Sequence, residues 1–277
     1  MNRILEKKEL AANVYWYKVE NPDIAKARKP GQFLILRVHN KGERIPLTIV
    51  NSTLEEGSVE IIFQVVGKST KLLAKLNKGD SILDMAGPLG TPTHIDKHGV
   101  CVMVGGGIGI APLLPITRGF KEKGNKIISV LGARSKSLLI LEEEMRNCSD
   151  AVHIVTDDGS YGEKGLVTDV LRRICESDER IDYVVAIGPV IMMREVSKLT
   201  KEFNIRTLVS LNPIMVDGTG MCGGCRCYVK GESKFACVHG PEFDGHEVDF
   251  DRLAIRLNMF KNSERQALDH ECKINRG

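Results

Sequence analysis

Over the first 97 residues the apolar positions come in short runs rich in β-branched and aromatic side chains. They are Val14-Tyr15-Trp16-Tyr17-Lys18-Val19, Phe33-Leu34-Ile35-Leu36-Arg37-Val38 and Val59-Glu60-Ile61-Ile62-Phe63-Gln64-Val65-Val66. Glycine, proline and asparagine separate them, a texture that predicts an antiparallel β-barrel. One helix interrupts it: Ser69-Thr70 are placed to cap Lys71-Leu72-Leu73-Ala74-Lys75-Leu76, and Lys78-Gly79-Asp80 then turns the chain.

From residue 98 the pattern changes. Continuous apolar runs at 100–104, 126–131, 152–156 and 183–187 alternate with stretches of helical composition, including 138–147 and 167–175. Strands apolar on both sides need both faces covered, so a parallel sheet with helical crossovers is the economical arrangement. This α/β nucleotide-binding domain is expected to run to residue 210. Beyond it, Gly218, Gly220, Gly223, Gly224, Gly231 and Gly240 punctuate a small segment at 211–277 that carries a group of cysteines. Residues 252–277 mix apolar and charged positions and predict a helix with a frayed end that packs on the rest or on a partner. The class is therefore β plus α/β with a C-terminal appendage.

Composition narrows the function classes. At 277 residues with 42% hydrophobic positions the chain can build two ordinary cores, and 39 basic against 36 acidic side chains leave only +3 without long blocks of one sign. No basic stripe backed by aromatics points to nucleic acid. No run of about 18 apolar residues predicts a membrane span, and the start has no signal-peptide pattern, so the cytoplasm is the expected compartment.

Of eight cysteines, Cys101, Cys148, Cys175 and Cys272 are scattered and expected to be small core or surface residues, while Cys222, Cys225, Cys227 and Cys237 crowd one stretch. Asp217-x4-Cys222-x2-Cys225-x11-Cys237 reproduces the spacing of a plant-type two-iron cluster with aspartate in the first place. Three thiolates and a carboxylate can complete two tetrahedral irons, and the nearby glycine amides can donate to sulfur. Aspartate is anionic like a thiolate, so Rieske-like behaviour is not expected. Two other readings stay open: a zinc knot of the four crowded cysteines, or Cys227 in place of Asp217 as the fourth ligand.

Three further segments point to phosphorylated cofactors. Arg44-Ile45-Pro46-Leu47-Thr48-Ile49 ends a strand with a guanidinium, a fixed-φ proline and a hydroxyl, groups that can shape a flat-ring site and pair with a diphosphate. Val66-Gly67-Lys68-Ser69-Thr70 puts a glycine turn and two hydroxyls at a helix start, where free amides favour phosphate. Each is also an ordinary strand end or cap; together they favour a flavin diphosphate. Gly105-Gly106-Gly107-Ile108-Gly109 leaves a strand for a helix, either as a packing device or to let a ligand approach the backbone. It stands with two more turns at strand ends, Asp157-Asp158-Gly159 and Gly188-Pro189. Arg134-Ser135-Lys136 follows the next strand where an acidic residue would mark NAD, so NAD and NADP are not separated. No nucleophile, base and orienter group emerges; Asp157, Asp158 and Glu242 admit an acid/base reading, and the seven histidines share no spacing.

The Arg-x-Pro-Leu-Thr segment, the Gly-Gly-Gly-Ile-Gly-x-Ala-Pro turn, Gly188-Pro189-Val190-Ile191-Met192 and the cysteine group together resemble the ferredoxin reductase superfamily over nearly the whole chain. The likeness is to the branch holding the dihydroorotate dehydrogenase B electron-transfer subunit, the small chain of sulfide dehydrogenase, and one chain of the NADH-dependent reduced ferredoxin:NADP oxidoreductase. Aspartate at 217 and residues 216–226 and 235–245 are similar to the last of these. The resemblance implies FAD at Arg44, Pro46, Leu47, Thr48, Val66, Ser69 and Thr70, with Gly67 between them. It implies NAD(H) near Gly107, Ile108, Gly109, Asp157, Asp158, Gly159 and Gly188, and a 2Fe–2S cluster on Asp217, Cys222, Cys225 and Cys237. It also implies a larger flavoprotein or iron–sulfur partner in a heterodimer, with electron bifurcation on the partner. A dihydroorotate-oxidising partner is the alternative within the superfamily, and a redox-sensing binding module the alternative outside it.

Overall fold

The computed structural model describes residues 2–274. The side chain of Cys272 and residues 275–277, the end of the helix expected over 252–277, lie outside what it describes. Six antiparallel strands form the first sheet: β1 (Ile4–Ala11), β2 (Val14–Glu20), β3 (Phe33–Arg37), β4 (Arg44–Thr53), β5 (Ser58–Gln64) and β6 (Asp84–Leu89), in the order β1-β2-β5-β4-β3-β6. The sheet closes where Arg3 bridges Ser81, with Ile4 N donating to Asp80 O at 2.8 Å and Ile82 N to Asn2 O at 2.9 Å. These contacts bring the two edge strands together and curl the sheet into a barrel. Its interior is filled by Ile4, Tyr17, Val19, Leu34, Leu36, Ile49, Ile61, Phe63 and Ile82.

Two helices serve the barrel. α1 (Pro22–Ala27) is capped by Asn21, whose side chain accepts from Ile24 N at 3.0 Å. α2 (Lys68–Lys75) begins earlier than its hydroxyls predict: Gly67 is the N-cap, and Ser69 and Thr70 lie in the first turn. The reason is a reversed cap, in which Thr70 Oγ1 accepts from Val66 N at 3.0 Å and Gly67 N at 3.1 Å. The far end of α2 is held by the buried Tyr17 hydroxyl, which donates to Leu73 O and Leu76 O. Arg44 to Ile49 opens β4 instead of ending a strand, because the chain pairs from Arg44 onward with β3.

In the second sheet β7 (Val100–Gly106), β8 (Lys126–Ala133), β9 (Ala151–Thr156), β10 (Glu163–Lys164), β11 (Tyr183–Ile187) and β12 (Arg206–Ser210) run parallel. Their order is β10-β9-β8-β7-β11-β12. α3 (Ile110–Glu122) and α4 (Glu142–Arg146) belong to one face, and α5 (Val167–Cys175) and α6 (Val190–Glu202) to the other. Helix α4 is shorter than the composition of 138–147 predicts. Its N-cap Leu141 takes a left-handed conformation, and Ile140 before it is buried in the core as extended chain.

The third segment is woven into the second sheet. β13 (Arg226–Val229) and β14 (Glu232–Phe235) form a hairpin, α7 (Ala236–His239) follows, and β15 (Glu242–Asp244) then adds antiparallel to β12 as the seventh strand. α8 (Phe250–Leu257) buries Phe250 and Leu253 in the same core as α6, and α9 (Lys261–Ile274) ends the described chain. No helix among the described residues is long and apolar enough to cross a membrane.

Candidate functional site

Alternation along β4 sorts the residues expected at the flavin. Ile45, Leu47 and Ile49 pack with the barrel interior, so Arg44, Pro46 and Thr48 share the outer face and are half-buried there. Leu47 thus offers this face only its main chain. Register places Arg44 opposite Arg37, Pro46 opposite Ile35 and Thr48 opposite Phe33 on β3. The first turn of α2 comes to the same place: Ser69 Oγ donates to Glu43 Oε2 at 3.2 Å, beside Arg44. Val66 is 74% exposed, and a Cβ on Gly67 would meet nothing within 4 Å. Arg44 holds Asp84 at 3.4 Å, while its buried Nε has no partner. A helix start with free amides and an under-used guanidinium are the groups a diphosphate would need.

The glycines after β7 divide their work. A Cβ on Gly109 would lie 2.3 Å from Ile187 O, and one on Gly106 2.4 Å from Met192 Sδ, so these positions, with Gly188 beside Met192, allow β7, β11 and α6 to close-pack. Gly107 differs: it has φ +55° and open space where a Cβ would be. Its turn, through Ile108 to Gly109, abuts β5 of the barrel. The packing expectation therefore applies to Gly106, Gly109 and Gly188, while Gly107 leaves its surroundings open.

Arg134 to Lys136 and Asp157 to Tyr161 interlock at the neighbouring strand ends. Asp157 N donates to Ala133 O, Asp158 N to Arg134 O, and Lys136 N to Ser160 Oγ at 2.8 Å, while the Lys136 ammonium lies 4.8 Å from the centre of the Tyr161 ring. The side chains of Arg134, Asp157 and Asp158 are exposed, and hydrogen bonds from Ser160 hold the Asp158 carboxyl below its usual range. Glu242 stands on the opposite sheet edge, five strand spacings from β9 or roughly 24 Å away. No acid/base group can form from these three carboxylates.

In the cluster loop, Cys225 and Cys237 are buried with their sulfurs 3.1 Å apart, and Cys237 N donates to Cys225 Sγ at 3.5 Å. Cys222 is exposed and accepts from Gly224 N at 3.4 Å, and the Gly220 amide bonds to the Cys237 sulfur, so two of the four expected glycine amides reach a sulfur. Asp217 Oδ2 accepts from Cys222 N, and Oδ1 from the amide and hydroxyl of Thr219. The Thr219 amide, chief among these donors, holds the Asp217 carboxyl at about 2. Among the described residues no three ligating side chains surround one ion. The four fall instead into two pairs, Asp217 with Cys222 and Cys225 with Cys237, the division that two sulfide-bridged irons require. Cys227 faces the core, where its thiol donates to Lys234 O and burial pushes it up to about 11.

The loop reaches the outer face of the barrel directly. A Cβ on Gly218, φ +79°, would lie 2.8 Å from Ile35 Cδ1 and 2.6 Å from Leu89 Cδ1, so the cluster loop sits on the outer surface of β3 and β6, next to Pro46. Spacing along the chain cannot reveal this contact, nor Arg37 beside Arg44, because both arise from cross-strand register.

Three family models match successive parts of the chain. Residues 2–94 match the oxidoreductase FAD-binding domain, 103–198 the oxidoreductase NAD-binding domain, and 212–249 the iron-sulfur cluster binding domain of dihydroorotate dehydrogenase B. A Thermotoga maritima protein named as a homolog of the dihydroorotate dehydrogenase B (NAD(+)) electron transfer subunit is 48% identical, covering 99% of this chain and 96% of its own. The chain belongs to the dihydroorotate dehydrogenase B electron transfer subunit family. The Fusobacterium nucleatum subunit of that name, 31% identical over 89% of this chain and 96% of its own, is a further member. A solved structure of the NADH-dependent reduced ferredoxin-NADP oxidoreductase, described in connection with flavin-based electron bifurcation, superimposes with a TM-score of 0.93 at 45% identity, covering 98% of each chain. The fold of this family member is that of a ferredoxin reductase, and the chain carries the family's flavin, nicotinamide and iron–sulfur modules in that order.

Proposed function

We propose that the chain is the electron-transfer subunit of a heterodimer. In this reading it exchanges hydride with NAD(H) at bound FAD and relays electrons through a 2Fe–2S cluster to a larger flavoprotein partner, within a bifurcating NADH-dependent ferredoxin:NADP oxidoreductase. The observation that carries this is the common outer face of the barrel. Pro46 and Thr48 on β4, Ile35 on β3, Leu89 on β6 and Gly218 of the cluster loop follow one another across two strand spacings, roughly 10 Å.

The bound cofactors supply the chemistry, converting a two-electron hydride into single-electron steps, while the protein supplies position and electrostatics. Arg44 and the start of α2, with Val66, Gly67, Ser69 and Thr70, would hold the flavin diphosphate; Pro46 and Thr48 would seat the ring, with Leu47 contributing main chain. Gly107, Ile108 and Gly109 would let the nicotinamide nucleotide approach the barrel, and Gly188, Asp157, Asp158, Gly159 and Arg134 would frame the rest of it. Phe33 and Ile35, both buried, would keep water from the ground between the flavin site and the cluster loop. Asp217 and Cys222 would hold the outer iron, and Cys225 and Cys237 the inner one. The divisions at residues 97 and 210 separate these three tasks.

The test is the native complex purified without oxygen, analysed for FAD, iron and sulfide, then titrated with NADH and NADPH while flavin absorbance and the cluster's EPR signal are followed. NADH should bleach the flavin and reduce the cluster; a native complex without flavin would sink the reading. A second reading, service to a dihydroorotate-oxidising partner, is favoured by the match at 212–249. The two part on which large subunit copurifies and whether orotate formation accompanies NAD reduction.

A further inference from the structure

Arg37 is the last residue of β3. Register sets it directly opposite Arg44 on one side and Asp84 of β6 on the other. Because Leu34 and Leu36 fill the barrel, Phe33, Ile35 and Arg37 belong to the outer face with Pro46 and Thr48. Like charges directly opposite in an antiparallel pair repel. One carboxylate faces the two guanidiniums: Asp84 pairs with Arg44 at 3.4 Å, and Glu43 accepts from Ser69, so neither makes an ion pair with Arg37. Arg37 makes no hydrogen bond or ion pair among the described residues, and its Nε, like that of Arg44, is sealed from solvent without a partner. Two half-buried guanidiniums side by side, each with an unmatched donor, ask for an anion with several oxygens that both can fork onto.

We infer that Arg37 is a second flavin-binding residue, forming with Arg44 a two-guanidinium clamp on the diphosphate of FAD; this rests on the flavin reading above. The clamp specifies a dinucleotide flavin. A flavin without phosphates gains nothing from Arg37.

The test uses the full chain stripped of flavin, titrated with FAD and with riboflavin while quenching of flavin fluorescence is followed. Losing a charged hydrogen-bonding partner is expected to weaken FAD binding by Arg37→Met about ten- to a hundredfold, with riboflavin binding unchanged. Arg37→Lys should recover part of the loss. Asp84→Asn, which frees Arg44 from its competing carboxylate, should tighten FAD binding and enlarge the rise in melting temperature that FAD produces. A residue that merely supports the fold would shift both flavins alike. The assignment is overturned if Arg37→Met binds FAD as the parent does, if riboflavin weakens in the same proportion, or if Asp84→Asn loses FAD affinity. A parent chain that takes up neither flavin would bring down the flavin reading and Arg37 together, whereas a parent that binds FAD and an Arg37→Met variant that matches it sink only the clamp.

Discussion

Cys227 and Asp217 compete for one role on spacing alone, and the fold gives them different surroundings. Cys227 is 1% exposed, in the core behind the loop, while Asp217 is half-buried beside the exposed Cys222. Cys227→Ala is therefore expected to lower stability by about 1–2 kcal/mol in denaturant melts, a small-cavity cost, with iron content unaltered. Asp217→Ala should make the cluster labile, read as lost iron and an altered EPR spectrum. Glu242 behaves differently again. Burial lifts its carboxyl from 4.5 to about 7, although Thr93 Oγ1 donates to it at 2.7 Å. The folded chain thus keeps a proton that the unfolded chain releases, so stability should fall as pH rises from about 4.5 through 7 and level off above. Glu242→Gln is expected to flatten that slope in thermal melts and to gain up to about 3 kcal/mol at pH 8, the ceiling set by a shift of that size.

At the scale of elements, the glycine turn after β7 separates folding from binding. Gly109→Ala drives a Cβ into the Ile187 carbonyl and is expected to cost on the order of 3 kcal/mol, visible in the melting temperature. Gly107→Ala meets no atom and pays only the left-handed conformation, about 1–2 kcal/mol. Its larger effect should be weaker NADH binding in titrations of the loaded complex. A reversed order of these effects would reassign the open position. Element legibility followed burial. β7, β8, β9 and β11 show as continuous apolar runs because both faces are covered, whereas β1, Ile-Leu-Glu-Lys-Lys-Glu-Leu-Ala, is masked by its charges. β6, with its glycine and proline, carries little strand signal, and its place is fixed by pairing with β3. The apolar run at 138–141 resembles a helix, but a 3-10 turn ends at Leu138, Ile140 is buried in the core, and the left-handed Leu141 starts the helix only at Glu142. Within the candidate site, the cysteine spacing and the glycine turns at Gly67 and Gly105–Gly109 are readable along the chain. Arg37, the Gly218 contact and the burial of Glu242 are not, since each depends on a neighbour far away in sequence.

Over the whole molecule, the cluster segment touches both other parts. Thr91 N donates to Gly240 O at 2.7 Å and Thr91 Oγ1 to Val238 O at 3.0 Å, so the linker leaving the barrel is held by residues next to Cys237. Arg256 of α8 donates to Gly224 O at 3.1 Å, tying the last part of the chain back to the loop. β15 completes the arrangement by lying along β12. A chain ending at residue 210 would keep every parallel strand of the nucleotide sheet yet present β12 with its backbone groups unpaired. Such a chain is expected to self-associate in light scattering at concentrations where the full chain does not. Three residues, Glu242 to Asp244, thereby give the iron-binding segment a second office, as the selvedge that keeps one molecule's sheet from being stitched to the next.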